Sequence, residues 1–221
     1  MDIVYQDKRI VVAVKPAGVV STDETGGMPD LLRQELQTAC IRTVHRLDAP
    51  VAGLMVFARS VYAAGELSRQ IREGEFEKEY LAVVRGTPAE PEGELTDLLG
   101  RDRATRMTFV AHGPGKGVQE ARLRYRTLGA STNYTLVEVE LLTGRHHQIR
   151  AQLSKIGCPI KGDLKYGARR SNPDGGISLH SRAIEFTHPV RREPVRITAP
   201  VPAGDNLWAF FARNASEPCA C

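Results

Sequence analysis

Apolar residues recur along this chain with two different periods, and each change of period marks out an element. Ile10-Val11-Val12-Ala13-Val14 is an unbroken apolar run that predicts a buried strand, stopped by Lys15-Pro16-Ala17-Gly18. Leu54-Met55-Val56-Phe57-Ala58 predicts a second strand and Glu79 to Val84 a third. Pro29 to Leu36 predicts a short helix. Ser60 suits the N-cap of another, running to about Arg72 with Leu67 and Ile71 four apart on one face and Gly74 beyond its end. Good alternation from Gln119 to Leu141 predicts two strands, and Ser178 to Phe186 and Pro194 to Ile197 predict two more. The chain closes on an amphipathic helix containing Leu207, Trp208, Phe210 and Phe211.

These elements predict an α+β fold with a mostly antiparallel central sheet flanked by helices. Residues 86–117 are rich in Pro, Gly and charge, and only Met107 to Ala111 reads as strand, so this region is expected to be an insertion or lobe on the core. One domain is expected over residues 1–213, with a frayed tail over 214–221. No internal repeat, coiled coil or low-complexity tract interrupts it.

Composition changes this picture little. With 221 residues, 42% hydrophobic and 25% charged, the chain is able to bury a sizeable core and falls outside the disordered and fibrous classes. A formal charge of +4 favours a polyanionic partner only weakly. The start Met1-Asp2-Ile3 has no basic region leading into a long apolar run, and Lys15 interrupts the first apolar cluster. Neither a leader nor a membrane span is expected, and the cytoplasm is the expected compartment. Cys40, Cys158, Cys219 and Cys221 lack the spacing of a zinc site or a disulfide scaffold, so reduced thiols are expected.

The candidate chemistry begins at Thr43-Val44-His45-Arg46-Leu47-Asp48-Ala49-Pro50-Val51-Ala52-Gly53-Leu54. Pro50 holds Ala49 extended and Gly53 frees the backbone before the second strand, so Asp48 sits on a shaped loop entering a buried strand. As a surface pair, Arg46 and Asp48 would contribute only about 0–1 kcal/mol. The position at a loop on a rigid strand suits chemistry better.

A second constellation is Thr143-Gly144-Arg145-His146-His147-Gln148-Ile149-Arg150, continuing to Gly157. It reads as a turn passing into a helix, with Ile149, Leu153 and Ile156 as the core stripe, Arg150 at its edge and His147 one turn earlier. The two histidines are expected about 100° apart on that helix and lack the carboxylate spacing of a zincin motif, so no metal is expected. Arg122, Arg124 and Arg126 form a basic stripe on one strand face, which Glu138 and Glu140 on the next strand are placed to neutralise.

With these blocks assembled, the chain resembles the RluA-like family of RNA pseudouridine synthases from about Ile10 to Pro200. The resemblance rests on Lys15-Pro16-Ala17-Gly18, His45-Arg46-Leu47-Asp48 with Gly53-Leu54, Lys78 to Val84, and Thr143-Gly144-Arg145 through Arg150. Further blocks are Gly157 to Asp163 with Tyr166-Gly167, and Leu179-His180 leading to Phe186-Thr187-His188-Pro189. It implies a pseudouridine synthase catalytic fold with a central cleft, in a monomer that acts on RNA and needs no membrane, cofactor or metal. In such enzymes the N1–C1′ bond of a uridine breaks, the base turns, and C5 rejoins C1′.

By that resemblance Asp48 supplies the carboxylate, as a nucleophile at C1′ or a base at C2′. Arg150 is its guanidinium partner and Tyr80 lies against the target base. Leu179, Lys15 and Pro16 shape the pocket, while His45 and His147 are further substrate contacts. Arg46 contacts or replaces the flipped base. For each a plainer role stays open: a core aromatic for Tyr80, packing for Leu179 and Lys15, a helix-edge cation for Arg150, an ordinary ion pair for Arg46. No room for a separate S4-type RNA-binding module is expected before Ile10. Val51-Ala52 and Gln152 depart from the family pattern, where Thr-Ser and a histidine are usual. An RNA-binding protein that has lost catalysis is the main alternative. A glycosidase-like hydrolase lacks a second acid near Asp48, and Asp163, in a Gly-rich turn, is expected to bond backbone.

Overall fold

The computed structural model describes residues 1–202 and 205–214. They form two compact units, one comprising Met1–Glu79, Asp174–Gly176 and His180–Pro200, the other Tyr80–Pro173, Ile177–Leu179 and the segment from Val201 onward. The expected tail, including Cys219 and Cys221, lies outside the described residues from 215 on. Among the described residues, no helix is long and apolar enough to cross a membrane.

In the first unit the strands β1 (Ile3–Gln6), β2 (Ile10–Lys15), β4 (Ala52–Ala58) and β10 (Leu179–Thr187, in this unit from His180 on) lie side by side in that order. β11 (Pro194–Thr198) pairs with β10, and the short β3 (Arg42–Thr43) pairs with the end of β4. β2 and β4 run antiparallel with Val12 opposite Val56, while β4 and β10 meet in parallel at His180–Ala52 and Ser181–Gly53. Leu54 to Ala58 are all fully buried, as the unbroken apolar run requires. Ile10, Val12, Leu54 and Val56 pack with Leu67, Phe76 and Phe186 in one core cluster.

Helix α1 (Met28–Leu36) and helix α2 (Val61–Glu73) flank these strands. The Ser60 hydroxyl accepts the Ala63 N–H at 3.1 Å, and Gly74 ends α2 in the left-handed conformation, its N–H donating to Gln70 O. Both signals are local, which is why this helix is placed to within two residues by sequence alone.

The second unit orders its strands β5 (Glu77–Arg85), β9 (Tyr134–Leu141), β8 (Gln119–Ala130), β6 (Glu92–Arg101) and β7 (Thr108–Val110). Helix α3 (Gln148–Lys155), a single 3-10 turn (Leu164–Tyr166) and helix α4 (Asn206–Asn214) complete it. α4 packs Trp208 and Phe211 against Leu81, Val83 and Leu136.

β6 was not legible as a strand. It pairs antiparallel with β8 from Glu92 to Leu99, but Gly93 and Gly100 break its apolar alternation. Each glycine makes room for a cross-strand aromatic: a Cβ on Gly93 would lie 3.3 Å from the Tyr125 ring, and one on Gly100 would lie 2.5 Å from that of Phe109. Asp97 is the other interruption, and it is buried against α3, held by Gln152 Nε2 at 2.9 Å and by Lys155.

Candidate functional site

Asp48 is held by its neighbours on both sides. The Ser21 hydroxyl accepts the Leu47 N–H at 3.1 Å and donates to the Leu47 carbonyl at 2.7 Å, so one side chain clamps both backbone groups of the preceding residue. The following residue, Ala49, offers its carbonyl to the Gly18 N–H at 2.8 Å and to Lys15 Nζ at 3.0 Å. Asp48 itself closes the turn, its carbonyl accepting the Val51 N–H at 3.0 Å, and its side chain is half-buried.

Lys15 has no exposed surface. Its ammonium donates to the carbonyls of Pro16 at 2.9 Å, Val19 at 2.6 Å and Ala49 at 3.0 Å. All three of its protons are therefore spent on the two loops that frame residue 48. Burial pushes its pKa down to about 8, with the negative charge of Asp48 acting in the opposite direction. Lys15 thus ties the 16–19 segment to the carbonyl of the residue that follows Asp48.

His45 is enclosed in the same way. Its Nε2 accepts the Val56 N–H at 3.0 Å, its ring lies 5.4 Å from that of Phe76, and its Nδ1 has no access to solvent. The Nε2 bond ties the Asp48 loop to β4. Arg46, by contrast, is exposed. Gly53 sits at φ 121°, and a Cβ there would lie 2.4 Å from the Ser181 carbonyl, so the parallel contact of β4 with β10 requires glycine.

In the second unit Arg150 is 3% exposed and makes a bidentate pair with Asp163, Nε to Oδ2 at 2.6 Å and a terminal nitrogen to Oδ1 at 2.8 Å. Its guanidinium also lies 4.9 Å from the centre of the Tyr166 ring. The Tyr166 hydroxyl accepts the Thr108 N–H at 2.7 Å and is 2.8 Å from His147 Nδ1. Thr108 Oγ1 in turn donates to the His146 carbonyl at 2.8 Å and lies 2.9 Å from His146 Nδ1. Asp163, expected to bond backbone, instead offers both carboxylate oxygens to Arg150, and the parts of Tyr166 and Thr108 in this cluster are not visible in the sequence. The Gly162-Asp163 and Tyr166-Gly167 pairs were visible, but nothing periodic joins them to a helix residue thirteen positions earlier.

The histidine pair also differs from expectation. His147 precedes α3 in the left-handed conformation at φ 49°, so the two rings are not spaced around a helix but stack with centroids 3.7 Å apart. α3 itself has no exposed face from Gln148 to Leu153, every one of which is buried. Gln152, the departure from the family pattern, is fully buried and donates to Leu95 O, Asp97 Oδ2 and Ala121 O. It anchors α3 to β6 and β8. Tyr80 and Leu179 are 5% and 4% exposed, both within the second unit.

Cross-strand neutralisation of the Arg122–Arg126 stripe holds for Arg124 and Arg126, whereas Arg122 pairs with Glu120 of its own strand at 3.4 Å. Arg124 pairs with Glu94 at 3.3 Å and Glu140 at 3.5 Å, and Arg126 with Glu138 at 2.7 Å.

A model of the family described as RNA pseudouridylate synthase matches residues 9–155, the stretch that carries Lys15, Asp48, Tyr80 and Arg150. The chain belongs to this family. It is accordingly an isomerase that acts on RNA. Ribosomal large subunit pseudouridine synthase D of Xylella fastidiosa is 35% identical over 91% of the chain and 66% of its own length. tRNA pseudouridine synthase C of Haemophilus ducreyi is 31% identical over 96% of the chain and 94% of its own length. Human RNA Pseudouridylate Synthase Domain Containing 4 shares the fold with a TM-score of 0.75 at 24% identity, covering 91% of this chain and 89% of that one. The chain spans about two thirds of the length of the ribosomal relatives it matches. The expected α+β class and family are both borne out.

Proposed function

We propose that this RNA pseudouridine synthase converts one or more uridines in a structured ribosomal or transfer RNA, with Asp48 as the carboxylate acting at the sugar. The observation that carries the role of Asp48 is the clamp around it: Ser21 fixes Leu47, and Lys15 fixes Ala49. So much buried hydrogen bonding spent on one loop residue's neighbours is what a reacting group needs, since a misplacement of about 1 Å can cost a hundredfold in rate. The N1–C1′ bond breaks and the C5–C1′ bond forms; the proton on C5 is lost and the freed N1 takes one up, so no redox partner enters. Asp48 either attacks C1′ or removes the C2′ proton, and both require the ionised form.

Tyr80 supplies a ring against the uracil and a hydroxyl for the late transfer of the C5 proton. Arg150 contributes positive charge, its orientation fixed by Asp163. The target nucleotide is flipped out of its stack at a cost of about a few kcal/mol, and exposed Arg46 contacts or replaces it. A stem-loop uridine is the favoured substrate, because specific RNA readers target splayed, single-stranded bases. The two relatives named above for large-subunit ribosomal RNA and for tRNA support both target classes. The protein acts as a monomer in the cytoplasm in this reading.

Asp48→Asn preserves shape and removes charge. It should abolish pseudouridine formation, measured by mapping modified sites in total RNA from cells carrying either form, while thermal melts and RNA affinity stay close to the unmodified protein. Turnover by a folded Asp48→Asn protein would refute the role. Identical maps with and without the gene would favour a non-catalytic RNA-binding role.

A further inference from the structure

The second unit holds an open, solvent-exposed surface cavity, a depression of about 430 Å³ lined by Arg85, Gly86, Thr132, Asn133, Gly157, Pro159, Gly167 and Arg169. Four separate segments build it: the end of β5, the turn joining β8 to β9, the chain leaving α3, and the residues after the 3-10 turn. Three of them are tied together by backbone bonds, with the Arg85 N–H donating to Pro159 O at 2.9 Å and the Gly86 N–H to Asn133 O at 2.9 Å. Its frame therefore does not depend on the two arginine side chains.

Among the described residues, Arg85 and Arg169 make no side-chain hydrogen bond or ion pair, in contrast to the arginines of β8. The nearby end of α3 does not account for them. Its closing turns already satisfy the carbonyls of Gln152, Leu153 and Ser154, which accept the N–H groups of Ile156, Cys158 and Gly157. Two guanidinium forks with Thr132 and Asn133 beside them form a donor set for an anion with several oxygens. No aromatic ring and no large aliphatic side chain lines the cavity, so nothing there would stack or enclose a base.

We infer that this cavity holds a backbone phosphate of the RNA substrate, a sequence-independent contact that fixes the position of the strand. The inference rests on the proposed RNA substrate and adds to it a phosphate subsite. Phosphate contacts of this kind set register and orientation without reading bases.

The test is the salt dependence of binding to a fluorescein-labelled RNA hairpin with uridines in its loop, measured for the whole protein and for Arg85→Gln, Arg169→Gln and the double variant. Losing one phosphate contact should lower the slope of log affinity against log salt by about 0.7–0.9 and reduce affinity about tenfold at low salt. Asn133→Asp, a shape-preserving change on an exposed turn, should weaken binding in the same salt-dependent way. An unchanged slope and affinity in a double variant that melts at the original temperature would overturn the inference. So would inorganic phosphate that binds the cavity, read by NMR shifts at Thr132 and Gly157, without being displaced by the hairpin. Pseudouridine formation is scored separately on total RNA, so failure of the synthase reading and failure of the phosphate subsite give different results.

Discussion

Enclosed by the first unit's core, the His45 imidazole stays neutral because burial, reinforced by the positive charge of Lys78, pushes its pKa down to about 3. In the unfolded chain the same group takes up a proton near its ordinary value of about 6.5. The stability that follows from a neutral buried ring is therefore full above about pH 6.5 and is lost as the pH falls toward about 3, at roughly 1.4 kcal/mol per pH unit. His180, pushed down to about 4 mainly by burial, adds a loss of the same sign. His45→Gln keeps an acceptor for the Val56 N–H and removes the titration. Urea unfolding from about pH 7 to about pH 4 should show proton uptake on unfolding reduced by about one, and an unchanged slope would contradict this. Asp163 belongs to the same scale of argument. Asp163→Asn removes the charge facing a buried guanidinium and should destabilise the protein by about 3–5 kcal/mol, seen as a lower denaturation midpoint. The residue itself was legible in the sequence, whereas its partner was not, because the pair closes through a turn and follows no helical or strand period.

At the level of elements, what was legible is what local chemistry determines. Ser60 and Gly74 bracket α2 because a cap is a contact with residues three or four positions away. The apolar runs of β2 and β4 were legible because both faces of each strand are covered. β6 was hidden because its glycines answer to Tyr125 and Phe109, which lie on other strands, and its Asp97 answers to α3. α3 was read as amphipathic from Ile149 and Leu153, yet Arg150 and Gln152 are equally buried, the Arg150 guanidinium and the Gln152 amide N–H each donating to a carboxylate distant in sequence. Gly53 combines both kinds of constraint, a positive φ that sequence suggests and a close approach to Ser181 that it does not show. Gly53→Ala cannot be absorbed by a flexible side chain, since the clash is with backbone. It should disrupt the β4–β10 contact and lower the melting temperature by well over the roughly 4 °C that corresponds to about 1 kcal/mol in a chain this long. A calorimetric scan within a degree or two of the parent would show that the strands part without cost.

For the molecule as a whole, the formal charge of +4 is less informative than where the positive charges stand. The most regular basic feature in the sequence, the β8 stripe, is matched by acids on both neighbouring strands: Glu94 on β6, and Glu138 and Glu140 on β9. The register makes this systematic, with Arg124 opposite Glu94 and Glu140 and Arg126 opposite Glu92 and Glu138. A stripe compensated from both sides has few counterions to displace and adds little to the attraction of a polyanion. Arg124→Gln with Arg126→Gln should therefore leave the salt slope of RNA binding unchanged, and since exposed pairs contribute about 0–1 kcal/mol each, stability should move by no more than that per pair. The double change lowers the net charge by as much as loss of Arg85 and Arg169 together. If attraction to RNA depended on net charge alone, the two double variants would bind identically; dependence on placement predicts that only the cavity pair alters the slope. Measuring both side by side on the same labelled hairpin separates these accounts, and a matched loss in the β8 variant would show that the acids on β6 and β9 fail to neutralise the stripe.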